Sequence, residues 1–335
     1  MSEYDIDLVV PWVDGSDPEW QAEKKVYEQP YPVGDTDACR FRDWGLIEYL
    51  FRSIAMFLPW IRKIHFITCG HLPPFLNTAH PKLHIVNHRD FMPAETLPCF
   101  NSSALEMYIH RIPGLAERFI YINDDIFFLQ PAPPERFFAG KDGLPCCLYA
   151  EHPVRPYMKI EQWSAYLLHD AGVINSMFSK NGAKRPGRIV SRKLPLSYNL
   201  RNVALRLLFP KFYCGFLIPH TYSCFLKSVI EEVWEAVPDL LDRVGRTKFR
   251  TWEDVNQWLF YMWQLAEGRY VIANPDYRVY TAMEDNVQEI CDAIRTHRYE
   301  SVCINDGRES DADRLAPIIA GAFRDILPEK CAYEI

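Results

Sequence analysis

Residues 118–125 read Arg118-Phe119-Ile120-Tyr121-Ile122-Asn123-Asp124-Asp125. The first five predict a buried strand, because aromatic and β-branched residues fill it and turn-forming residues end it. It runs directly into the Asn-Asp-Asp triplet. Two adjacent carboxylates at a strand end repel one another and resist joint ionisation. A hard divalent cation, Mg²⁺ or alternatively Mn²⁺, shared with substrate phosphates would relieve that repulsion. A turn or a helix cap would use the same residues, and on spacing alone the two readings stand level.

The surrounding chain sets the fold. Asp7–Trp12 predicts a first strand, ending in the turn Val13-Asp14-Gly15-Ser16-Asp17-Pro18. The polar stretch from there to about residue 38 reads as irregular. Leu46, Ile47, Leu50, Ile54 and Phe57 have helical spacing, so Asp43–Phe57 predicts a helix capped by Asp43. Lys63–Cys69 and Leu83–Asn87 predict strands, and Ser102–Ile112 a helix stopped by Pro113-Gly114. Strands alternating with helices over residues 1–150 predict an α/β, doubly wound sheet. Such sheets bind ligands beyond the carboxyl ends of their strands. Asp14 and the Asp124-Asp125 pair both stand at such ends and would face one crevice.

Residues 151–211 hold 11 Lys or Arg against 3 Asp or Glu, while the whole chain carries −7. Within this basic insertion Lys180–Arg188 and Ser191–Lys193 read as loop, and Asn199–Leu208 as a short basic amphipathic helix. Beyond it the chain becomes helical, at Phe225–Val237, Thr251–Ala266, Asp285–Arg298 and Asp311–Leu327. A strand at Ser301–Ile304 leads into Asn305-Asp306-Gly307. The 335 residues therefore predict a single composite domain: an α/β core over 1–150, the basic insertion, and a mainly helical part over 212–335 that completes the site.

Composition excludes several classes. At 48% hydrophobic and 24% charged, the chain is a folding sequence, not a disordered one. The net negative charge argues against nucleic acid as a partner. No apolar run reaches the roughly 20 residues of a membrane span. The N-terminus has no basic flank or long apolar core, so no secretory signal is expected. The ten cysteines contain no CxxC pair, which argues against a thiolate zinc site and fits scattered reduced thiols. A cytoplasmic protein, in peripheral contact with the inner membrane face or an anionic polymer through 151–211, follows from these features as an expectation. No GxGxxG, P-loop or GxSxG string occurs.

Other candidates stand alone in the sequence. His220 precedes a predicted helix and could act as base or hold a phosphate. Arg42 and Arg250 suit bidentate phosphate contacts. Asn305 and Asp306 offer further oxygen ligands after a strand. His80, His84 and His88 have helical spacing but overlap a strand, and read as incidental.

The full strings are more specific. DIDLVVPWVDGSDPEW (5–20), RFRDWGLIEYLFRSIAMFLPWIRKIHFIT (40–68) with LPCFNSSALEMYIHRIPGLAERFIYINDDIFF (97–128), IPHTYSCFLKSVIEEVWE (218–235) with TKFRTWEDV (247–255), and VCINDGRESD (302–311) follow in order. Together they resemble the four conserved blocks of the Stealth family of sugar-phosphate transferases, at the length of a compact bacterial enzyme. The resemblance implies a glycosyltransferase-A-like fold. It also implies transfer of a sugar-1-phosphate, with GlcNAc-1-phosphate the first expectation, from a UDP-sugar to a saccharide or polysaccharide hydroxyl. A phosphodiester forms and UMP leaves, as in capsular polysaccharide and exopolysaccharide synthesis. The alternatives are a metal-dependent glycosyltransferase releasing UDP, and an inactive nucleotide-sugar-binding protein.

The same resemblance implies roles. Asp125 would be the principal metal ligand, with Asp124 and Asn305 or Asp306. Arg250 and Arg42 would hold phosphate. His220 would act as base or steady the phosphoryl group, with Asp14 or Glu106 as the alternative base. Trp12, Asp14, Asp43, Asp124, Ser102 and Glu106 would contact nucleotide or sugar; Ser102 and Glu106 share a helix face by their spacing.

Overall fold

The computed structural model describes residues 4–28, 36–154, 162–180 and 187–335. Strand β1 (Ile6–Pro11) is almost wholly buried, as an unbroken apolar run requires. Helix α1 (Pro18–Glu28) follows, with proline at its first position. The polar composition there had predicted no helix; Trp20 pins it by burying against Phe41 and Phe100. Gly15 makes this turn possible, since a Cβ there would lie 1.9 Å from the Phe41 carbonyl oxygen.

Helix α2 (Ile47–Phe57) buries eight of its eleven residues. It begins later than expected, and Asp43 does not cap it. The Asp43 carboxylate instead accepts from the Gly45 N–H at 2.8 Å. Strands β2 (Ile64–Thr68) and β3 (Leu83–Asn87) fall where the sequence placed them. Helix α3 (Ser102–Glu106) is shorter than its prediction; the chain tightens into a 3₁₀ turn at Ile109–Arg111 before Pro113.

Strand β4 (Arg118–Tyr121) and the short β5 (Ile126–Phe128) flank the Asp pair. Then come β6 (Phe138–Ala139), β7 (Leu144–Cys147), α4 (Gln162–Met177) and α5 (Leu196–Leu208). Ser191–Lys193 is irregular as expected, and most of the loop expected at Lys180–Arg188 lies outside the described residues. The expected helix at Asn199–Leu208 is the greater part of α5, and α4 is a helix the sequence had not indicated. Strand β8 (Ser223–Leu226) takes the first residues of what had read as one helix, and α6 (Lys227–Ala236) starts only afterwards. Four buried residues with an unpaired edge of β4 beside them favour the ladder over another helical turn.

The remainder is α7 (Pro238–Gly245), α8 (Gln257–Glu267), β9 (Val271–Ile272), β10 (Tyr277–Thr281), α9 (Val287–Arg295), β11 (Ser301–Asn305) and α10 (Ala312–Ile326). Helix α8 starts at its Asn256 cap rather than at Thr251, because Asp254 holds the Thr251 amide and hydroxyl in a separate turn.

The main sheet has the order β3-β2-β1-β4-β8, parallel except for β8. That is the α/β, parallel-dominated arrangement expected, with the order 3-2-1-4 of a doubly wound half. Two three-stranded sheets accompany it, β10-β11-β5 and β6-β7-β9. One apolar cluster runs from Ile6 to Tyr333. Near the chain end, Glu334 forms a buried two-point ion pair with Arg52 of α2, at 2.8 Å on each arm.

Candidate active site

A cleft of about 1360 Å³ opens beyond the carboxyl ends of β1 and β4. Single small-ligand pockets run to about 1000 Å³, so this cleft is larger than most. Trp12, Arg42, Asp43, Ser102, Glu106, Asp124, Asp125, His220, Arg250, Asn305 and Asp306 all line it.

Strand pairing explains how distant residues meet here. Strand β4 ends at Tyr121, which pairs with Ser223, the first residue of antiparallel β8. The residues just after β4 and just before β8 therefore occupy the same end, which brings His220 to Asp125. On the other side β5 pairs antiparallel with β11, Ile126 opposite Cys303. The Ile304 N–H donates to the Asp125 carbonyl at 2.9 Å. Asp125, His220 and Cys303 consequently place one carboxylate oxygen, one ring nitrogen and one sulfur within 4.8 Å of each other. Cys303 and Asn305 share a face of β11, with the thiol 3.4 Å from the Asn305 amide oxygen.

The cleft floor is electrostatically frustrated. Burial, then the charges of Asp125 and Asp43, push the Asp124 carboxyl up to about 8. Burial also raises Asp125, against the opposing influence of His220, Cys303 and Arg250. Asp43 is raised too, by burial and by the nearby Asp14. One buried Asp125 oxygen, Oδ1, has no hydrogen-bond partner. An orphaned carboxylate oxygen amid like charges fits a bound cation. The donors near it are oxygen from Asp125 and Asn305, nitrogen from His220, and sulfur from Cys303. Burial and the Asp125 charge hold that thiol well above its usual range, so it stays protonated. Hard divalent ions select the oxygens from such a set.

Arg250 is the cation that faces these acids. Its Nη2 donates to the Ser102 hydroxyl at 2.6 Å. The loop carrying it is strapped to residues 96–102. Lys248 Nζ donates to the carbonyls of Thr96, Leu97 and Pro98 at 2.9, 2.9 and 3.0 Å. Phe249 stacks on Phe100, centroids 5.4 Å apart. Asn101 completes the strap: it caps α3 by accepting from Ser103, and donates to Thr247 at 2.7 Å and Asp254 at 2.9 Å.

Glu106 lies deeper. Its carboxyl accepts from the Tyr121 hydroxyl and from the Gln257 N–H at the start of α8, both at 2.9 Å. Burial nevertheless raises it to about 7.

Comparison with known proteins identifies the lineage. Models described as Stealth protein CR1, conserved region 1, and Stealth protein CR2, conserved region 2, match residues 4–29 and 40–145. The receptor polysaccharide phosphotransferase WefC of Streptococcus oralis is 33% identical over 336 residues, 98% of this chain and 99% of that protein. The chain belongs to the Stealth family. A capsular polysaccharide phosphotransferase of Streptococcus pneumoniae, WcwK, is 31% identical over 98% of this chain and 99% of its own. An exopolysaccharide phosphotransferase of Lactiplantibacillus plantarum, cps2G, is 33% identical over 99% and 96%. The solved apo structure of the bifunctional glycosyltransferase WbbM covers 97% of this chain and 51% of its own at 9% identity and a TM-score of 0.40, a likeness too slight to carry an inference.

Within this Stealth chain three expected positions differ from expectation. Asp14 does not line the cleft; its carboxylate closes its own turn, accepting from the Ser16 amide at 2.8 Å and hydroxyl at 2.6 Å. Arg42 and Asp306 both line the cleft, but side by side rather than apart. They pair with each other at 3.2 Å, and Arg42 also reaches the Ser310 carbonyl. Ser102 and Glu106 do share the cleft face of α3, but each already holds a protein partner.

Cys303, Asn101 and Lys248 carry structural weight that the sequence reading missed. The strand period, which aligns Cys303 with Asn305, was the available signal for the first. No local signal marks the strap, which joins segments about 150 residues apart. His88, set aside as incidental, does line the cleft, and burial lowers it to about 4.

Among the described residues, no helix is long and apolar enough to cross a membrane.

Proposed function

We propose that this Stealth-family phosphotransferase moves a sugar-1-phosphate from a UDP-sugar, GlcNAc-1-phosphate in the first instance, to a hydroxyl of a saccharide acceptor, releasing UMP. The whole chain acts as one composite catalytic domain. The observation that carries the reading is the meeting of Asp124, Asp125, His220 and Arg250 in one large cleft of a chain aligned end to end with polysaccharide phosphotransferases.

The residues divide the work by chemistry. Asp125 and Asn305 offer the oxygens that would hold a divalent cation, Mg²⁺ or Mn²⁺, with Asp124 beside them. Such an ion, when bound, offsets charge on pyrophosphate oxygens and on the leaving nucleotide. Arg250, fixed by Ser102, presents its remaining N–H groups to phosphoryl oxygens and stabilises charge that grows as the phosphorus–oxygen bond exchanges. His220 accepts the proton of the acceptor hydroxyl as that oxygen attacks phosphorus. The bond to UMP oxygen breaks while the bond from acceptor oxygen forms. Trp12, buried against Phe66 at 5.6 Å, offers a rigid wall to base or sugar at the end of β1.

The test is to incubate the protein with UDP-GlcNAc, Mg²⁺ and an acceptor panel and to separate the nucleotides. UMP with a phosphodiester product supports the reading. UDP as the sole nucleotide product makes the protein a conventional glycosyltransferase and overturns it.

A further inference from the structure

We propose that α5 docks this protein on an anionic lipid bilayer. The helix is fixed to the body by one face only. Asn202 is fully buried there: its amide oxygen accepts from the Glu151 N–H at 2.9 Å, and its amide nitrogen donates to the carbonyls of Tyr149 at 3.0 Å and Ile189 at 2.8 Å. Leu205 is buried on the same side. With about 3.6 residues per turn, Leu196, Leu200, Val203 and Leu207 fall in one narrow arc opposite that anchor. Their exposures are 72, 63, 41 and 75%. Leu208, Phe209 and Phe212 extend the apolar surface past the helix end. Scattered exposed leucines are ordinary on a soluble protein; a contiguous row of this kind marks an interaction face.

Charge identifies the partner. Residues 187–213 contain six Lys or Arg and no Asp or Glu, in a chain whose net charge is −7. Arg188, Arg192, Lys193 and Lys211, which precede and follow the apolar row in the chain, are exposed. An apolar stripe requires an apolar phase, and a basic rim requires anions. An anionic phospholipid surface supplies both, as for other amphipathic helices that lie in the membrane interface. A soluble anionic polysaccharide supplies only the charge, and leaves the leucines in water. The docked face also bears on the cleft: Glu151, which Asn202 holds, is followed directly by His152, Pro153 and Val154 of the cleft wall. This inference is independent of the reaction assigned above.

Flotation of the full chain with large unilamellar vesicles decides it. One set is phosphatidylcholine alone, the other contains roughly equal parts phosphatidylglycerol. Wild-type protein is expected to float with the anionic vesicles and not the neutral ones, and to be released as salt rises. Leu200→Asp with Leu207→Asp should cut the partition by more than about tenfold, with an unchanged thermal melt because both side chains face solvent. Arg192→Glu with Lys193→Glu should weaken binding to the anionic set in a salt-sensitive manner. Failure of the wild type to float with anionic vesicles, or equal flotation of the leucine variant, overturns the proposal. So does a concentration-dependent dimer that the leucine variant abolishes without any vesicle binding, which would give the face to a second copy.

Discussion

Arg250 donates to the Ser102 hydroxyl at 2.6 Å, across 148 positions of chain. Neither residue is placed by its own neighbours alone. Ser102 opens α3 because Asn101 caps it, and Arg250 reaches it because Asn101, Lys248 and Phe249 fasten the 247–254 loop to the same segment. The guanidinium is thus held toward the acids before any substrate arrives, the condition under which a fixed charge stabilises a transition state most.

Loss of that charge should dominate kinetics. Arg250→Ala should lower kcat by about 10²- to 10³-fold. Arg250→Lys should recover only part, since an ammonium cannot keep the Ser102 bond and a two-point phosphate contact together. Asn101→Ala should reduce kcat by about 10- to 100-fold through misplacement, with little change in KM for the donor. Steady-state rates with circular dichroism as a folding control check both. Wild-type kcat in Arg250→Ala removes Arg250 from the mechanism.

The oxygen-donor assignment separates Asp125 from His220. Asp125→Asn should weaken Mn²⁺ binding, measured by calorimetry or electron paramagnetic resonance, by at least about tenfold. His220→Ala should leave Mn²⁺ binding near wild type while abolishing turnover. Equal loss of ion affinity in both variants would make His220 a ligand and deny it the role of base. Cys303→Ser should leave Mg²⁺-dependent rates close to wild type, since a protonated thiol offers a hard ion little.

Glu106 predicts a pH-dependent stability. Its carboxyl sits at about 7 when folded, against an ordinary 4.5, because burial outweighs the bonds from Gln257 and Tyr121. Between those values the folded protein keeps the proton and the unfolded chain releases it. Stability from this group therefore falls as pH rises from 4.5 to 7, by about 3 kcal/mol in total, and then stays level. Urea unfolding of wild type and Glu106→Gln across pH 5 to 8 tests the sign. The wild type should lose stability relative to the variant as pH rises; a constant difference contradicts it.

Arg52 and Glu334 give the opposite slope. Burial alone would raise the Glu334 carboxyl, but its hydrogen bonds to Arg52 outweigh that and hold it below its ordinary value. The stabilisation is present above pH 4.5 and is lost as pH falls through the lowered value. Breaking this buried pair with Glu334→Gln should cost about 3–5 kcal/mol near neutrality, and the difference from wild type should shrink on acidification. Denaturant melts at pH 7 and pH 4 measure it.

The sheet was legible because β1, β2 and β4 are nearly continuous buried runs and the half-buried edge strand β3 keeps their apolar, β-branched composition, each ending in turn residues. The Asp pair was legible for the same reason, since carboxylates that interrupt such a run stand out. What stayed hidden depends on pairing between distant segments. Phe225 and Leu226 read as the start of a helix in isolation, and join a strand only because β4 offers an edge. Asp306 and Arg42 stand 264 positions apart in sequence, and only the fold shows that they pair. Asp14 looks functional at a strand end, yet Ser16 claims its carboxylate two residues away. The strand period could have aligned Cys303 with Asn305, but its approach to Asp125 comes from the β5–β11 ladder, a long-range pairing that the sequence does not announce.

Donor labelled with ³²P at the β-phosphate of UDP-GlcNAc tests the central claim most directly. With Mg²⁺ and a productive acceptor, the label should leave the nucleotide and appear in the saccharide product, resistant to phosphatase as a phosphodiester is, alongside unlabelled UMP. Label that remains in UDP while the sugar alone reaches the acceptor would contradict the account.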